Sequence, residues 1–204
     1  MCIRDRWRTV RGGSREYARK LVAPFRDRIA LSTPIRRVRR DATGVTVTTA
    51  RGDEARFDHV FFACHSDQAL AMLDDASTAE REVLGAFPYQ TNDATLHTDA
   101  RLLPRRPLAR AAWNYHLTDR PQERVPVTYD MNTLQSIDAP VRFLLTLNRE
   151  ADIDPTTIID RYRYDHPVYT PAAVAAQAER RRVSGVNRSY YCGAYWRFGF
   201  HEDG

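Results

Sequence analysis

Apolar and polar residues change period several times along this chain, and each change marks an element. Gly12-Gly13-Ser14 forms a turn, and the spacing after it predicts a helix with Ser14 as N-cap, running to about Ala23 and ended by Pro24. Arg28-Ile29-Ala30-Leu31 reads as a short strand, Thr33-Pro34 breaks it, and Ile35 to Arg40 continues extended. Gly44 turns the chain into Val45-Thr46-Val47-Thr48-Thr49, a β-branched strand, and Arg51-Gly52-Asp53 is a second turn, so a hairpin or meander is predicted. Asp58 to Ala63 is the most apolar run and is expected at the centre of its sheet. Helical spacing then returns from Ser66 to Leu73, where Ala69, Leu70 and Leu73 share a face, and from Thr78 to Leu84 behind a cap at Ser77 or nearby.

From Tyr89 to Leu147 the pattern switches to short β-like runs between proline-rich turns: Ala94–His97, Ala111–His116, Pro126–Tyr129 and Phe143–Leu147. They predict a separate, mostly antiparallel sheet. Tyr162, Tyr164 and Tyr169, near His166-Pro167, read as packing and turn residues. Pro171 starts an alanine-rich helix over Ala172–Arg182, and Ser189–Cys192 is a short strand leading to Gly193 and Gly199. No repeat or low-complexity segment is present.

The composition, 43% hydrophobic and 28% charged, is that of a folded globular chain. No apolar run reaches the roughly 18–20 residues of a membrane span, so no stable membrane span is expected. The net charge of +5 suggests a basic binding module as one functional class. However, Lys20 is the single lysine among 31 basic residues, and the arginines are scattered among acids. Even Arg36, Arg37, Arg39 and Arg40 alternate faces if they lie on a strand. Nucleic acid is therefore not expected as a partner. Cys2, Cys64 and Cys192 are widely spaced and form no CxxC pair, which indicates neither a zinc site nor a disulfide framework and fits a reducing cytoplasm. Cys64 and Cys192, on apolar strands, read as inert thiols. His97 and His116 either line a substrate cavity or are satisfied structural histidines. His201-Glu202-Asp203 are neighbours that point in different directions, so no metal site is expected there.

Two stretches carry chemistry. One is the order of turn, helix, strand, proline, strand, hairpin and apolar strand from Gly12-Gly13 to Ala63-Cys64-His65. The other is Tyr191-Cys192-Gly193-Ala194-Tyr195-Trp196-Arg197-Phe198-Gly199-Phe200-His201-Glu202. Together they resemble the FAD domain of the flavin amine-oxidase and carotenoid-desaturase superfamily. The resemblance covers the chain from Trp7 onward and includes Leu96-His97-Thr98-Asp99, Trp113-Asn114-Tyr115 and Tyr164-Asp165-His166-Pro167, as in a subgroup of predicted NAD/FAD-binding oxidoreductases. It implies that Ile35 contacts the adenine and that Ala63 and Cys64 end a strand at the adenosine half. It also implies that Gly193, Gly199, Phe200, His201 and Glu202 form the flavin-closing motif, whose glycines let backbone approach the cofactor. The first stretch read by itself also suits a generic β-meander with a buried Ile35.

The fold class expected is α/β: part of a three-layer, Rossmann-like FAD domain with an inserted, mostly antiparallel substrate domain. Residues 1–6 are read as a non-native leader, 7–73 and 186–204 as the FAD-binding portions, and 74–185 as the substrate domain. The resemblance implies an oxidoreductase that uses noncovalent FAD to dehydrogenate a small organic substrate. The alternative within the superfamily is a lipid or isoprenoid desaturase or isomerase. No GxGxxG follows a strand, the single lysine, Lys20, lies in the helix after the Gly-Gly turn and so is misplaced for the flavin-side lysine of amine oxidases, and no cysteine suits covalent attachment. The expectation is a chain cut at both ends that binds FAD poorly on its own. Catalytic residues and oligomeric state are left open.

Overall fold

A computed structural model describes residues 10–117, 123–200 and 203–204. The chain divides into two compact units, Ala30–Gln90 with His166–Gly204, and the residues up to Ile29 with Thr91–Asp165.

In the first unit, β1 (Ile35–Asp41), β2 (Gly44–Thr49) and β3 (Glu54–Phe57) form an antiparallel sheet in that order. The β1–β2 turn is set by Asp41, whose Oδ1 accepts the N–H groups of Thr43 at 2.8 Å and Gly44 at 3.0 Å. Two further strands, β4 (Val60–Phe62) and β10 (Ser189–Tyr191), pair in parallel, Phe62 opposite Tyr191. Helices α2 (Ser66–Met72), α3 (Thr78–Leu84) and α5 (Pro171–Ala178) complete the unit. The predicted cap of α3 is a reciprocal one: Ser77 Oγ accepts the Glu80 N–H at 3.2 Å, and Glu80 Oε2 accepts the Ser77 N–H at 2.8 Å. Val38, Val45, Phe62, Leu84, Ala173 and Tyr191 belong to one buried core. Residues 74–90 and 166–185, read from sequence as part of the inserted domain, thus supply Leu84 and Ala173 to the same core as β1 and β2.

In the second unit, α1 (Ser14–Val22) precedes a five-stranded sheet. The sheet comprises β5 (Tyr89–His97), β6 (Trp113–Tyr115), β7 (Val127–Asp130), β8 (Leu144–Leu147) and β9 (Ile158–Pro167), in the order β6-β7-β8-β5-β9. The pairs β6–β7, β7–β8 and β8–β5 are antiparallel, as the alternating runs predict. A short helix, α4 (Met131–Gln135), is capped by the buried Asp130 carboxylate, which accepts the Thr133 N–H and pairs with Arg142 at 3.0 Å.

The structure refines the expected elements at several points. Gly13, not Ser14, is the N-cap of α1, and Ser14 is its first helical residue. The α-helix ends at Val22, close to the stop expected at Pro24, and a 3-10 segment follows over Ala23–Arg28, which Pro24 can enter because its missing N–H is unneeded at a first turn. That segment and a turn at Ser32 (φ 51°) occupy the place of the strand expected at Arg28–Leu31. The Asp58–Ala63 run yields only the three-residue β4, paired among the described strands with β10 alone, and Phe61 is exposed. Tyr162 and Tyr164, read as packing and turn residues, lie within β9 and not in a turn, and their rings do pack, stacked at 6.0 Å.

One buried ion pair ties the first unit together. The side chains of Arg40 on β1 and Glu80 on α3 are each 2% exposed and bonded to one another, Arg40 Nη2 donating to Glu80 Oε2 at 2.9 Å. Arg40 also donates to Asp75 Oδ1 at 3.2 Å and to Ser189 Oγ at 2.9 Å, and Tyr191 Oη donates to Glu80 Oε1 at 2.6 Å. Burial alone would raise the Glu80 pKa, but bonds from Arg40, Tyr191 and Ser77 outweigh it and hold the group at about 2. A carboxylate held below its ordinary 4.5 stabilises the fold fully above that pH and loses the contribution as pH falls through about 2. Acid titration of stability, followed by urea unfolding, should therefore fall across this window, and Glu80→Gln should flatten the fall. Arg40→Met alone should cost about 3–5 kcal/mol because it strands a buried carboxylate, and Arg40→Met with Glu80→Leu should recover much of that loss.

Candidate functional site

The parallel pairing of β4 and β10 brings their carboxyl ends side by side, and the Cys192 N–H extends the ladder to the Phe62 carbonyl at 3.0 Å. Ala63-Cys64-His65 leaves one strand and Cys192-Gly193-Ala194-Tyr195 leaves the other. Ligands of open α/β sheets sit outside such carboxyl ends. The structure therefore brings together Ala63, Cys64 and Gly193. Ile35 opens β1 in the other sheet of this unit and is 36% exposed, so it is not the buried isoleucine of a plain meander.

Gly193 is extended, and its need for glycine is steric: a Cβ there would lie 2.3 Å from Tyr195 Cε1. The Tyr195 ring cannot give way, because it is buried against Phe87 (5.0 Å) and Trp196 (5.0 Å). After a single 3-10 turn over Ala194–Trp196, the Gly199 N–H returns to the Ala194 carbonyl at 3.2 Å. Gly199 has φ 89°, and a Cβ would meet Tyr169 Oη at 2.7 Å, so both conformation and space require glycine. Gln177 on α5 pins the loop by donating to the carbonyls of Tyr195 at 3.0 Å and Arg197 at 2.7 Å. The N–H groups of Phe198 and Phe200 converge on Asp203 Oδ2, both at 3.0 Å. The loop thus receives an anionic oxygen, the chain's own Asp203 carboxylate. Phe200 is exposed. His201 and Glu202 lie outside the described residues.

Two residues that the sequence reading did not single out mark this place. Among the described residues, the buried side-chain polar atoms without a hydrogen bond are His65 Nδ1 and Tyr195 Oη. Each stands within two residues of a motif position, His65 after Cys64 and Tyr195 after Gly193. His65 stacks on Tyr89 at 4.4 Å, and its nearest carboxylate oxygen, on Asp67, is 4.0 Å away. Tyr89 Oη is in turn satisfied by the Ser66 N–H at 2.9 Å. Burial, then the neighbouring Tyr89, Cys64 and Cys192, push the Tyr195 phenol up, so it stays a neutral donor. Burial likewise pushes the Cys64 thiol up, followed by Asp67 and Cys192, which leaves it a protonated thiol and a poor nucleophile.

These features fit part of a flavin nucleotide: a glycine-bounded loop that receives an anionic oxygen, beside two polar side chains lacking partners. The fold agrees. It is similar to cyclohexylamine oxidase from Brevibacterium oxydans IH-35A (TM-score 0.59, 14% identity, 94% of this chain and 49% of that one). It is also similar to putrescine oxidase, wild type bound to putrescine (0.59, 12%, 90% and 47%), and to a CLA-producing fatty acid isomerase from P. acnes (0.54, 15%, 84% and 44%). This chain spans less than half the length of each. No curated protein sequence matches it. The mixed helix-and-strand fold is thus that of FAD-binding amine oxidases. Residues 3–133, more than half of the chain, match the family described as flavin containing amine oxidoreductase, and the chain belongs to that family.

The orphaned phenol makes a stability prediction. Tyr195→Phe deletes a buried hydroxyl with no partner and should raise the stability of the flavin-free chain by about 1–3 kcal/mol in urea titration. Gly193→Ala should lower it by about 1–3 kcal/mol, since the added methyl overpacks against the Tyr195 ring. A stability loss in Tyr195→Phe would mean that the hydroxyl is satisfied.

Proposed function

We propose that this chain forms part of a flavin-dependent oxidoreductase that uses noncovalently bound FAD to dehydrogenate a small organic substrate in the cytoplasm. When bound, FAD supplies the two-electron acceptor for hydride removal from a C–N or C–C substrate, the electrons passing on to oxygen or another acceptor. The chain's own residues bind and orient. In this reading Gly193, Gly199 and Phe200 present backbone to the flavin end, with His201 and Glu202 completing the motif. Ala63 and Cys64 line the adenosine half, and Ile35 meets the adenine. His65 Nδ1 and Tyr195 Oη give the cofactor two buried hydrogen-bonding partners, and the Phe198 and Phe200 N–H groups hold negative charge now balanced by Asp203. The observation that carries the reading is the coincidence of both orphaned polar atoms with the carboxyl ends of β4 and β10.

A second reading is FAD-dependent desaturation or isomerisation of a lipid or isoprenoid. It is favoured by the position of Lys20, the single lysine of the sequence, on the exposed surface of α1. A structural likeness to a fatty acid isomerase accompanies it, and at 15% identity that likeness speaks for the fold.

The protein that carries this chain should purify with a visible flavin spectrum, and acid precipitation should release the FAD into the supernatant. Anaerobic bleaching by primary amines supports the first reading, and bleaching or double-bond migration with unsaturated lipids supports the second. A colourless protein that takes up no FAD would overturn both. Tyr195→Phe should weaken FAD retention about five- to tenfold, the loss of one hydrogen bond in a dry site.

A further inference from the structure

The unit that holds the five-stranded sheet contains an open cavity of about 450 Å³ bordered by Leu103, Pro104, Asn114, Tyr115, His116 and Arg149. None of the strand-end residues above borders it, and a buried chain of hydrogen bonds leads into it. His97 on β5 is fully buried, and its Nδ1 accepts the Asp99 N–H at 3.1 Å. A nitrogen that accepts carries no proton, and burial favours the neutral ring, so the proton sits on Nε2. His97 Nε2–H therefore donates to Thr146 Oγ1 at 2.8 Å. Thr146 donates to Thr128 Oγ1 at 2.8 Å, and Thr128 donates to His116 Nε2 at 2.8 Å. Both threonines are fully buried and face each other in the β7–β8 register. The opposite polarity would need an imidazolate at His97 or leave a buried hydroxyl hydrogen without an acceptor. The direction is therefore fixed, and it makes His116 Nε2 an acceptor. The proton of the His116 ring then sits on Nδ1, as a donor in the residue that borders the cavity.

Charge around the cavity sets what that donor meets. Arg149 gives its Nε to Asp152 Oδ2 at 2.8 Å, and among the described residues its terminal amino groups make no hydrogen bond. Arg101 is taken up by Asp99 through contacts at 2.8 and 2.5 Å, while Arg105 also borders the cavity. Leu102 and Leu103 are buried and, with Pro104, form an apolar wall. We propose that this cavity binds a small monocarboxylate with an apolar body, its carboxylate held by His116 Nδ1–H and the terminal amino groups of Arg149. The planar guanidinium edge matches a carboxylate. Asp152, already beside Arg149, opposes a second negative charge and so disfavours a phosphate dianion. The volume falls in the range of small-ligand sites, roughly 300–1,000 Å³. The inference goes beyond the flavin reading and requires no flavin.

Titration of the full chain with sodium butyrate, followed by calorimetry and by the His116 ring resonances, tests it, with n-butanol and inorganic phosphate as the other arms. Butyrate should saturate and shift the His116 resonances, while n-butanol and phosphate bind at least about tenfold more weakly, because each lacks part of the match. Arg149→Gln should weaken butyrate by about tenfold or more, and Arg149→Lys, which keeps the charge without the fork, by less. Thr128→Val removes the donor that holds His116 Nε2 as an acceptor. It should raise the pH at which His116 takes up a proton, against the fixed background of Arg149, Asp152, Arg101, Arg105 and Tyr115. Absence of saturable butyrate binding overturns the proposal, as does phosphate or butanol binding of equal strength. Butyrate affinity unchanged in a folded Arg149→Gln chain, confirmed by circular dichroism, overturns it too.

Discussion

The first unit is organised around a positive charge that has been taken out of water. Arg40 sits on β1, yet its guanidinium reaches the Asp75 carboxylate, the Glu80 carboxylate on α3 and the Ser189 hydroxyl on β10. Desolvating an arginine and a glutamate costs several kcal/mol per ion unless every lone pair and proton finds a partner. Here Ser77 and Tyr191 satisfy what Arg40 leaves open on Glu80. The consequence is topological. Glu80 is fixed by its own helix cap, so whatever bonds to Glu80 and Arg40 is fixed as well. Ser189 and Tyr191, the two ends of β10, both do so, and β10 is thereby held in register with β4, which lies 129 positions earlier in sequence (Ser189 opposite Val60). The loop that follows β10 inherits that position.

The same unit contains both extremes of polar satisfaction. Around Arg40 the buried groups are bonded several times over. At the strand ends, by contrast, the Tyr195 hydroxyl and the His65 Nδ1 atom make no hydrogen bond among the described residues. A fold able to satisfy a buried arginine has the means to satisfy a phenol, so unmet bonding capacity at one point is informative. Glycine adds to this in two different ways. Gly193 makes room for a ring of the chain itself, whereas Gly199 is demanded by a left-handed backbone as well as by Tyr169. A motif that looks like two equivalent glycines in sequence is physically one packing glycine and one turn glycine.

Periodicity made much of the fold legible. The β-branched run of β2, the cap near Ser77, and the alternating runs of β6 to β8 were readable because local propensity and tertiary packing agree there. Where they disagree, the sequence was silent. β9 is exposed along most of its length and has no alternating face, so Ile158–Pro167 carries no strand signature although its pairing with β5 makes it one. Arg28–Leu31 has strand-like residues, but the 3-10 segment around Pro24 takes Arg28 and the turn at Leu31-Ser32 ends the stretch before a strand can form. At the site, Ala63, Cys64 and Gly193 were legible from the motif. His65 and Tyr195 were written inside the same stretches but overlooked, because an unsatisfied atom is a property of surroundings and not of residue type. Arg40 was hidden for the same reason: its formal charge signals surface, and only the Ser77-to-Glu80 spacing hinted at a buried acid nearby.

The two histidines of the five-stranded sheet show how far residue type alone can carry an argument. His97 and His116 sit on comparable runs and invite the same two readings, structural or functional. Their bonding partners separate them. His97 receives a backbone N–H on one nitrogen and gives a proton from the other, so both its bonding sites are spent inside the protein. His116 accepts at one nitrogen only and lies at a cavity with the other still to be used. The buried ring thus acts as the fixed end of a polarised chain, and the outer ring as its terminus. A structural histidine here has a functional consequence, because its backbone bond, three hydrogen bonds away, decides which nitrogen of His116 carries the proton.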